Sequence, residues 1–378
     1  MTIRSVGVEE ELLLVDARTG EPRAVAGTVL AAAEAVAPPA TSPQPAVADD
    51  ESPAGALEFE LHLQQLETNT RPCRDLADLD REVRRCRAWA ARAAARAGIQ
   101  VVALATAPVP TEPEVADKDR YREMVRVFGL TAQELLTCGC HVHVGIESAE
   151  EGVAVLDRIG PWLAPLLALS ANSPFWYGQD SAYASFRYQA WGRWPSAGPT
   201  VPFGSAAAYD DTLRQMVETG TLLDTGMVYF DARLSQNYPT LEIRVADVCL
   251  RADDAVLIAT LARALVETEA RRWRAGRPAG PWRPELLRLA TWRASRSGLD
   301  DVLLDPVTGR PRPSAAVARS LLAHVRDALA EAGDDKQGAE LLDAVLSRGN
   351  GAVFQRATYR REGSLPAVVA AAAQATAG

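Results

Sequence analysis

The stretch that most limits what this chain can fold into is Thr137–Gly145, TCGCHVHVG, a run of small and β-branched residues carrying two of the four histidines. It reads as a strand. In an extended chain successive side chains alternate between faces, so His141 and His143 share one face while Cys138, Cys140, Val142 and Val144 share the other. Two thiols and two imidazoles match a zinc site by composition, but on a strand they point apart and cannot close one tetrahedron. The stretch therefore demands a sheet with a polar front and an apolar back. The plain alternative is a pair of half-buried histidines satisfied by neighbours.

Three further stretches carry the same kind of face. Val6–Val15 (VGVEEELLLV) places Glu9 and Glu11 on one side and Glu10 on the other, and charges in a strand whose leucines fill both faces are costly to bury. In Ala56–Thr70 (ALEFELHLQQLETNT) the apolar alternation runs to Leu63 and then changes parity at Leu66. A β-bulge near Gln64–Gln65 repairs the change and gathers Glu60, His62 and Glu67 on one face; a helix, with two turns per seven residues, also brings the two carboxylates together. Pro239–Val248 (PTLEIRVADV) sets Thr240, Glu242, Arg244 and Ala246 against Leu241, Ile243 and Val245. Between these strands, helices are expected over 25–36, 73–97, 149–170 and 206–219, and the chain beyond Asp253 is expected to be largely helical. The charged residues of 73–97 read as a solvated face. Pro38–Gly55 reads as a mobile loop, and Ala171–Gly204, rich in aromatics, proline and glycine, as a candidate substrate wall.

The 378 residues suffice for a large hydrophobic core. A net charge of −9 argues against nucleic acid as a partner. No apolar run approaching the ~18 residues of a membrane span is read, nor a signal peptide, so a cytoplasmic location is expected. The five scattered cysteines suit reduced, packed thiols. Five glutamates on neighbouring polar faces would repel one another unless cations neutralised them, and oxygen-rich sites with one or two imidazoles suit Mg²⁺ or Mn²⁺. The chain has neither Gly-x-x-x-x-Gly-Lys-Ser/Thr nor Gly-x-Gly-x-x-Gly, so any phosphates must be held by metals and arginines.

Gly7–Glu11 (GVEEE), Cys138–Val144 (CGCHVHV), Ser170–Trp176 (SANSPFW), Pro239–Val245 (PTLEIRV) and Arg348–Ala352 (RGNGA) occur in an order that resembles the type 2 glutamate-cysteine ligase family, also called carboxylate-amine ligases. The resemblance spans nearly the whole chain. It implies an α+β, glutamine-synthetase-like fold: one catalytic domain over 1–378, with a curved antiparallel sheet carrying metal ions and ATP on its concave face and helices on its back. It implies Glu9, Glu11, Glu60, Glu67, His141 and Glu242 as metal ligands. Arg244 would stabilise the transferring phosphoryl group beside Glu67 and Glu242, and Asn350 and Arg356 would touch nucleotide or substrate. Arg187, His143 and Trp176 would stand on the substrate side. Val353–Phe354 departs from the charged residues that usually follow the glycine turn.

The implied reaction phosphorylates a substrate carboxylate with ATP, after which an amine displaces phosphate to give an amide. The substrates are small amino acids or amines, with L-glutamate and L-cysteine as the default, and a homo-oligomer is compatible. Other readings are a ligase for another amine, a guanidino-kinase-like phosphotransferase, and a silent nucleotide-binding regulatory protein. The clustered carboxylates argue against the last.

Overall fold

In the computed structural model, which describes residues 3–35 and 57–378, Val6–Val15 (β1) lies inside an antiparallel sheet. Leu12, Leu13 and Leu14 are all buried, which excludes the half-solvated edge strand. One edge of β1 pairs with Gln65–Asn69 (β3), which is joined to Leu57–Phe59 (β2). The other edge pairs with Gln100–Val102 (β4) and Gly139–Gly145 (β5). The ribbon formed by Phe175–Trp176 (β6) and Gln179–Asp180 (β7) stands apart, while Ala232–Leu234 (β8) and Thr240–Asp247 (β9) complete a seven-stranded sheet beside β5.

Helices alternate with the strands, and the long ones cover the apolar back. Ala26–Glu34 (α1) and Leu76–Arg96 (α2) flank β1; Asp119–Phe128 (α3) and Leu130–Glu134 (α4) precede β5; Ala149–Ser170 (α5) follows it. Phe186–Trp191 (α6), Ala206–Glu218 (α7) and Ala252–Arg274 (α8) come next, and beyond α8 the chain is helical apart from a short ribbon at 302–304 and 311–313. Val6, Val8, Cys140, Val142, Val144, Leu241 and Ile243 form one core with Ile159 and Leu166 of α5 and Leu257 and Leu261 of α8. Each such aliphatic side chain contributes about 1.5–3 kcal/mol on burial. All five cysteines are free and buried, and Cys138 and Cys140 lie in the core behind the histidines.

The structure corrects several expectations. Residues 57–69 form a hairpin and not one bulged strand: Leu57 pairs with Thr68 and Phe59 with Leu66. The parity change marks a turn, which is zipped to a distant segment by Leu63 N–H to Glu114 O (2.8 Å) and Ala116 N–H to Leu61 O (2.9 Å). His62 consequently leaves the polar face; it is fully buried, with Nε2 3.0 Å from Ala132 O. The bulge is instead in β9, where the register against β5 shifts between Cys140 and Val142. Ala246 thereby joins the core, and Asp247 lies opposite Gly139 on the front.

Arg87 of α2 is not solvated: it is buried and forks onto Glu10 at 2.6 and 2.9 Å, satisfying the third glutamate of β1 on the back of the sheet. Helix α5 is long and apolar enough by composition to cross a membrane, contrary to the reading of the sequence, but it is mostly buried inside the protein. Arg348–Ala352 is the junction between two helices, Asp335–Arg348 and Gly351–Glu362, with Asn350 capping the second. The expected loop 38–55 lies outside the described residues.

Arg4, just ahead of β1, ties the sheet to the helices by donating to Glu151 of α5 (2.7 Å) and Glu267 of α8 (2.5 Å), while Arg274 also donates to Glu151 (2.9 Å). Burial opposes charge on Glu151, but Arg4, the Glu147 N–H and Arg274 outweigh it and lower its pKa from 4.5 to about 2. A carboxyl depressed in the folded state stabilises above its unfolded pKa and loses that contribution as pH falls through the folded value. We expect ~3 kcal/mol of acid-sensitive stability from this group. Chemical denaturation at falling pH should show a steep loss below pH 4.5 in the wild type and a shallower one in Glu151→Gln; equal slopes would refute the assignment.

Candidate active site

Strand register assembles most of the polar face. Glu9 lies opposite both His141 and Asn69, Glu11 opposite Glu67, and His143 opposite Glu242. Glu60 arrives from the turn after β2. The result is two groups, Glu9–His143–Glu242 and Glu11–Glu60–Glu67, each offering ligand atoms within 4.8 Å of one another. His141 sits between them: Nδ1 is 3.4 Å from Glu9 and 3.9 Å from Glu242, and Nε2 is 3.9 Å from Glu11. His143 Nε2 is 3.0 Å from Glu9, and its Nδ1 is 2.9 Å from Thr240 Oγ1. The geometry thus puts His143, expected on the substrate side, within a three-residue ligand group, while His141, expected as a ligand, lies between the two groups and in neither.

The two groups differ in their charge balance. Glu242 is held by Arg244 and by Arg233 (Nε, 2.6 Å), which together outweigh burial and keep its carboxyl far below the usual range. Burial likewise opposes charge on Glu9, yet His143 and His141 hold it well below. Burial, then the Arg244 charge, lowers His141 to about 4, so its imidazole is neutral. Burial also opposes charge on His143, but Glu9 raises its pKa. On the other side anions dominate. Burial, reinforced by Glu60, pushes Glu11 up to about 7, although it accepts the Gly139 N–H at 2.6 Å. Burial and then Glu9 and Glu60 raise Glu67 well above its ordinary value.

This donor set fits divalent cations. It is rich in oxygen, carries excess carboxylate on one side, and includes His141 Nε2, a buried atom without a hydrogen-bond partner. Arg233 is absent from the sequence candidates, because a three-residue strand carries too little alternation to assign a face. It lies on a separate strand ahead of the ionic stretch, and only the register, Arg233 opposite Glu242, brings it into the site.

Arg187 also reaches this face. It is 2% exposed, its Nη1 is 3.9 Å from Asp247, its Nη2 is 3.5 Å from Arg244 O, and its Nε has no partner. A Cβ on Gly139 would lie 2.2 Å from Arg187 Nη2 and 2.9 Å from His141 Nε2, so only glycine leaves room for the guanidinium there. Trp176 is packed against Tyr177 and Phe186. Asn350 donates to Ala168 O (2.9 Å) and accepts from Val353 N (3.2 Å). Arg356 forks onto Asp180 at 2.6 and 2.9 Å and bonds Tyr183 O. Among the described residues these bonds of Asn350 and Arg356 lead away from the clustered glutamates, and Phe354 lies under Arg251.

Comparison with known proteins bears on the family and the fold. The model of glutamate-cysteine ligase family 2 matches residues 5–371. A Streptomyces avermitilis protein provisionally named glutamate–cysteine ligase 2-1 is 55% identical over 376 residues, covering all of both chains. One from Streptomyces coelicolor, provisionally named glutamate–cysteine ligase 2, is 52% identical over 374 residues, 99% of each. Among solved structures, glutamate–cysteine ligase of Francisella tularensis in complex with AMP superposes with a TM-score of 0.68 at 10% identity, over 100% of this chain and 90% of that one. A bifunctional glutathione synthetase of Pasteurella multocida gives 0.68 at 18% identity; this chain, 99% covered, spans about half (52%) of it. At such identities the structures establish the fold alone, an α+β fold built on an antiparallel sheet with helices. With the family matched from end to end, the chain belongs to glutamate-cysteine ligase family 2 and is an ATP-dependent ligase of the carboxylate-amine type.

Proposed function

We propose that this chain uses ATP to activate the side-chain carboxylate of L-glutamate and couples it to the amine of L-cysteine. The observation that carries the reading is the joining, on one sheet face, of two carboxylate groups around Arg244 with a buried, partly unpartnered Arg187. The provisional names of the relatives and the Francisella enzyme support the choice of substrates.

Glu11, Glu60 and Glu67 on one side, and Glu9, His143 and Glu242 on the other, would hold Mg²⁺ or Mn²⁺, with His141 able to serve either group. Such cations, when bound, neutralise phosphate oxygens and the charge that develops as a phosphoryl group moves. Arg244 supplies a fixed guanidinium beside them for the same transfer. Arg187 pairs a substrate carboxylate through its planar fork. Trp176, with Tyr177 and Phe186, forms part of the wall of the substrate side. Asn350 and Arg356 act in support, capping a helix and holding the β6–β7 ribbon through Asp180.

In the reaction so read, the substrate carboxylate takes the terminal phosphoryl group of ATP and releases ADP; the amine then attacks the acyl carbon, phosphate leaves, and the amine gives up a proton. No protein nucleophile is needed. The test is ADP release with ATP, Mg²⁺ and single or paired amino acids, with mass spectrometry of the product. The γ-glutamylcysteine amide is expected. A different amide would replace the substrates and keep the ligase class. A stable phosphorylated product without amide would favour a phosphotransferase, and no amine-dependent ADP from any pair would overturn ligation.

A further inference from the structure

The segment that carries Arg187 returns to the sheet at one buried carboxylate. Asp247, brought to the front by the β9 bulge, is completely buried. It accepts the Asn172 N–H at 2.8 Å, the Ser173 hydroxyl at 2.7 Å and the Ser185 hydroxyl at 2.8 Å. Ser173 and Ser185 are bridged to one another, so the two hydroxyls mark the neck of the intervening loop. Both hydroxyls then work a second time. Ser173 Oγ accepts the N–H of Arg187 itself (3.0 Å), and Ser185 Oγ caps α6 by accepting from Tyr188 (3.4 Å). Arg187 is the second residue of that helix, and the nearest atom of its guanidinium is 3.9 Å from the same carboxylate.

We infer that Asp247 is a positioning residue for substrate: it closes the neck of the 173–185 loop and sets the place of Arg187 over Gly139, beside His141 and Glu11. The inference rests on the reading of Arg187 as the partner of a substrate carboxylate. The physical argument is that Arg187 has few bonds of its own, with Nε unpartnered and one 3.5 Å contact from Nη2. Besides its close packing and the Trp191 ring 5.7 Å from its guanidinium carbon, which moves with the same helix, its location is set by its backbone anchor and by the Asp247 charge, and a displacement of about 1 Å in such a group is enough to cost ~100-fold in use of the substrate. Asp247→Asn keeps the shape and, because hydroxyls can rotate, keeps most of the bonds while removing the charge.

The experiment measures KM separately for amino acid and ATP in Asp247→Asn and Ser185→Ala, together with amide exchange. Asp247→Asn should raise KM for L-glutamate about 10- to 100-fold, and Ser185→Ala about 3- to 10-fold, with KM for ATP and Mn²⁺ binding held within about twofold. Amide exchange should rise across 173–191 and stay unchanged in 139–145, a readout that needs no turnover. Unchanged glutamate KM in both variants, equal rises for glutamate and ATP, or exchange rising uniformly through the sheet would each overturn the inference. A wild type silent with every amino-acid pair would overturn the proposed function, and exchange confined to 173–191 would still uphold the Asp247 anchor. If Asp247→Asn does not fold, Ser185→Ala carries the same comparison.

Discussion

Replacing Glu67 by glutamine should lower amine-dependent ADP release by about 10³-fold while making the metal-free protein more stable. Glu67 lies opposite Glu11, shares a hydrogen bond with Glu60, and has the carboxyls of Glu9, Glu60 and Glu11 as its leading ionisable neighbours. Burying a carboxylate among carboxylates is unfavourable unless a cation is present. Glutamine keeps the volume, cannot contribute a negative charge to a cation site, and relieves repulsion worth on the order of 1 kcal/mol or more, a few degrees in melting temperature.

The same substitution at Glu242 has the opposite stability sign, because Arg233 and Arg244 would lose their shared partner. The check is melting temperature in EDTA and in Mn²⁺ beside steady-state ADP release. Wild type should gain stability from Mn²⁺ and Glu67→Gln should gain less. A variant that is both inactive and less stable in EDTA would assign Glu67 to the architecture and not to a cation.

That asymmetry was only partly legible in the sequence. Period-two alternation identifies which side chains share a strand face, so Glu9 with Glu11, and His141 with His143, were readable directly, as was the placing of Cys138 and Cys140 on the opposite, apolar face. Alternation is silent on connectivity. The parity change at Leu66 is compatible with a bulge or a turn, and the discriminating contacts come from residues 112–116, some fifty positions away. The real bulge escaped notice because Val245 and Ala246 are both apolar, so neither face looks wrong when one residue is inserted. Arg87 looked solvated because a helix of alternating Arg and Asp does so in isolation, and only the packing of α2 behind β1 reveals Glu10 as its partner.

Within the site, long-range register separates what was read from what was missed. Glu60 and Glu67 converge as expected, but by hairpin geometry and without His62. His143 joins Glu9 and Glu242 through its cross-strand neighbour Glu242, a pairing set by β5 against β9 that one strand cannot report. Asp247 and Arg233 enter for the same reason. The glycine turn at Arg348–Ala352 permits close approach of other groups. Here it admits another residue, since a Cβ on Gly351 would lie 2.0 Å from Asn172 Oδ1.

Arg244→Lys should lower turnover by about 10²- to 10³-fold and leave KM for ATP within a few-fold. Arg244 is 9% exposed, its backbone N–H is fixed to Asp231 O at 2.9 Å, and one guanidinium nitrogen serves both Glu242 and His141 (3.5 Å) while Nε remains unpartnered. Such a group meets its internal obligations and still presents a donor. Lysine can satisfy Glu242 as a point charge, but it has no planar fork with which to hold the carboxylate and a transferring phosphoryl oxygen together. Because its charge is retained, the fold should be retained too. Arg244→Ala, by contrast, leaves Glu242 to Arg233 alone and should lose stability by a few kcal/mol besides activity. The two variants therefore separate geometry from charge: kcat falls in both, while melting temperature falls mainly in alanine. Lysine turnover within fivefold of wild type would show that positive charge alone suffices. A rise in ATP KM as large as the fall in kcat would make Arg244 a ground-state binding group, leaving the bound cations to carry the stabilisation of the phosphoryl group in flight.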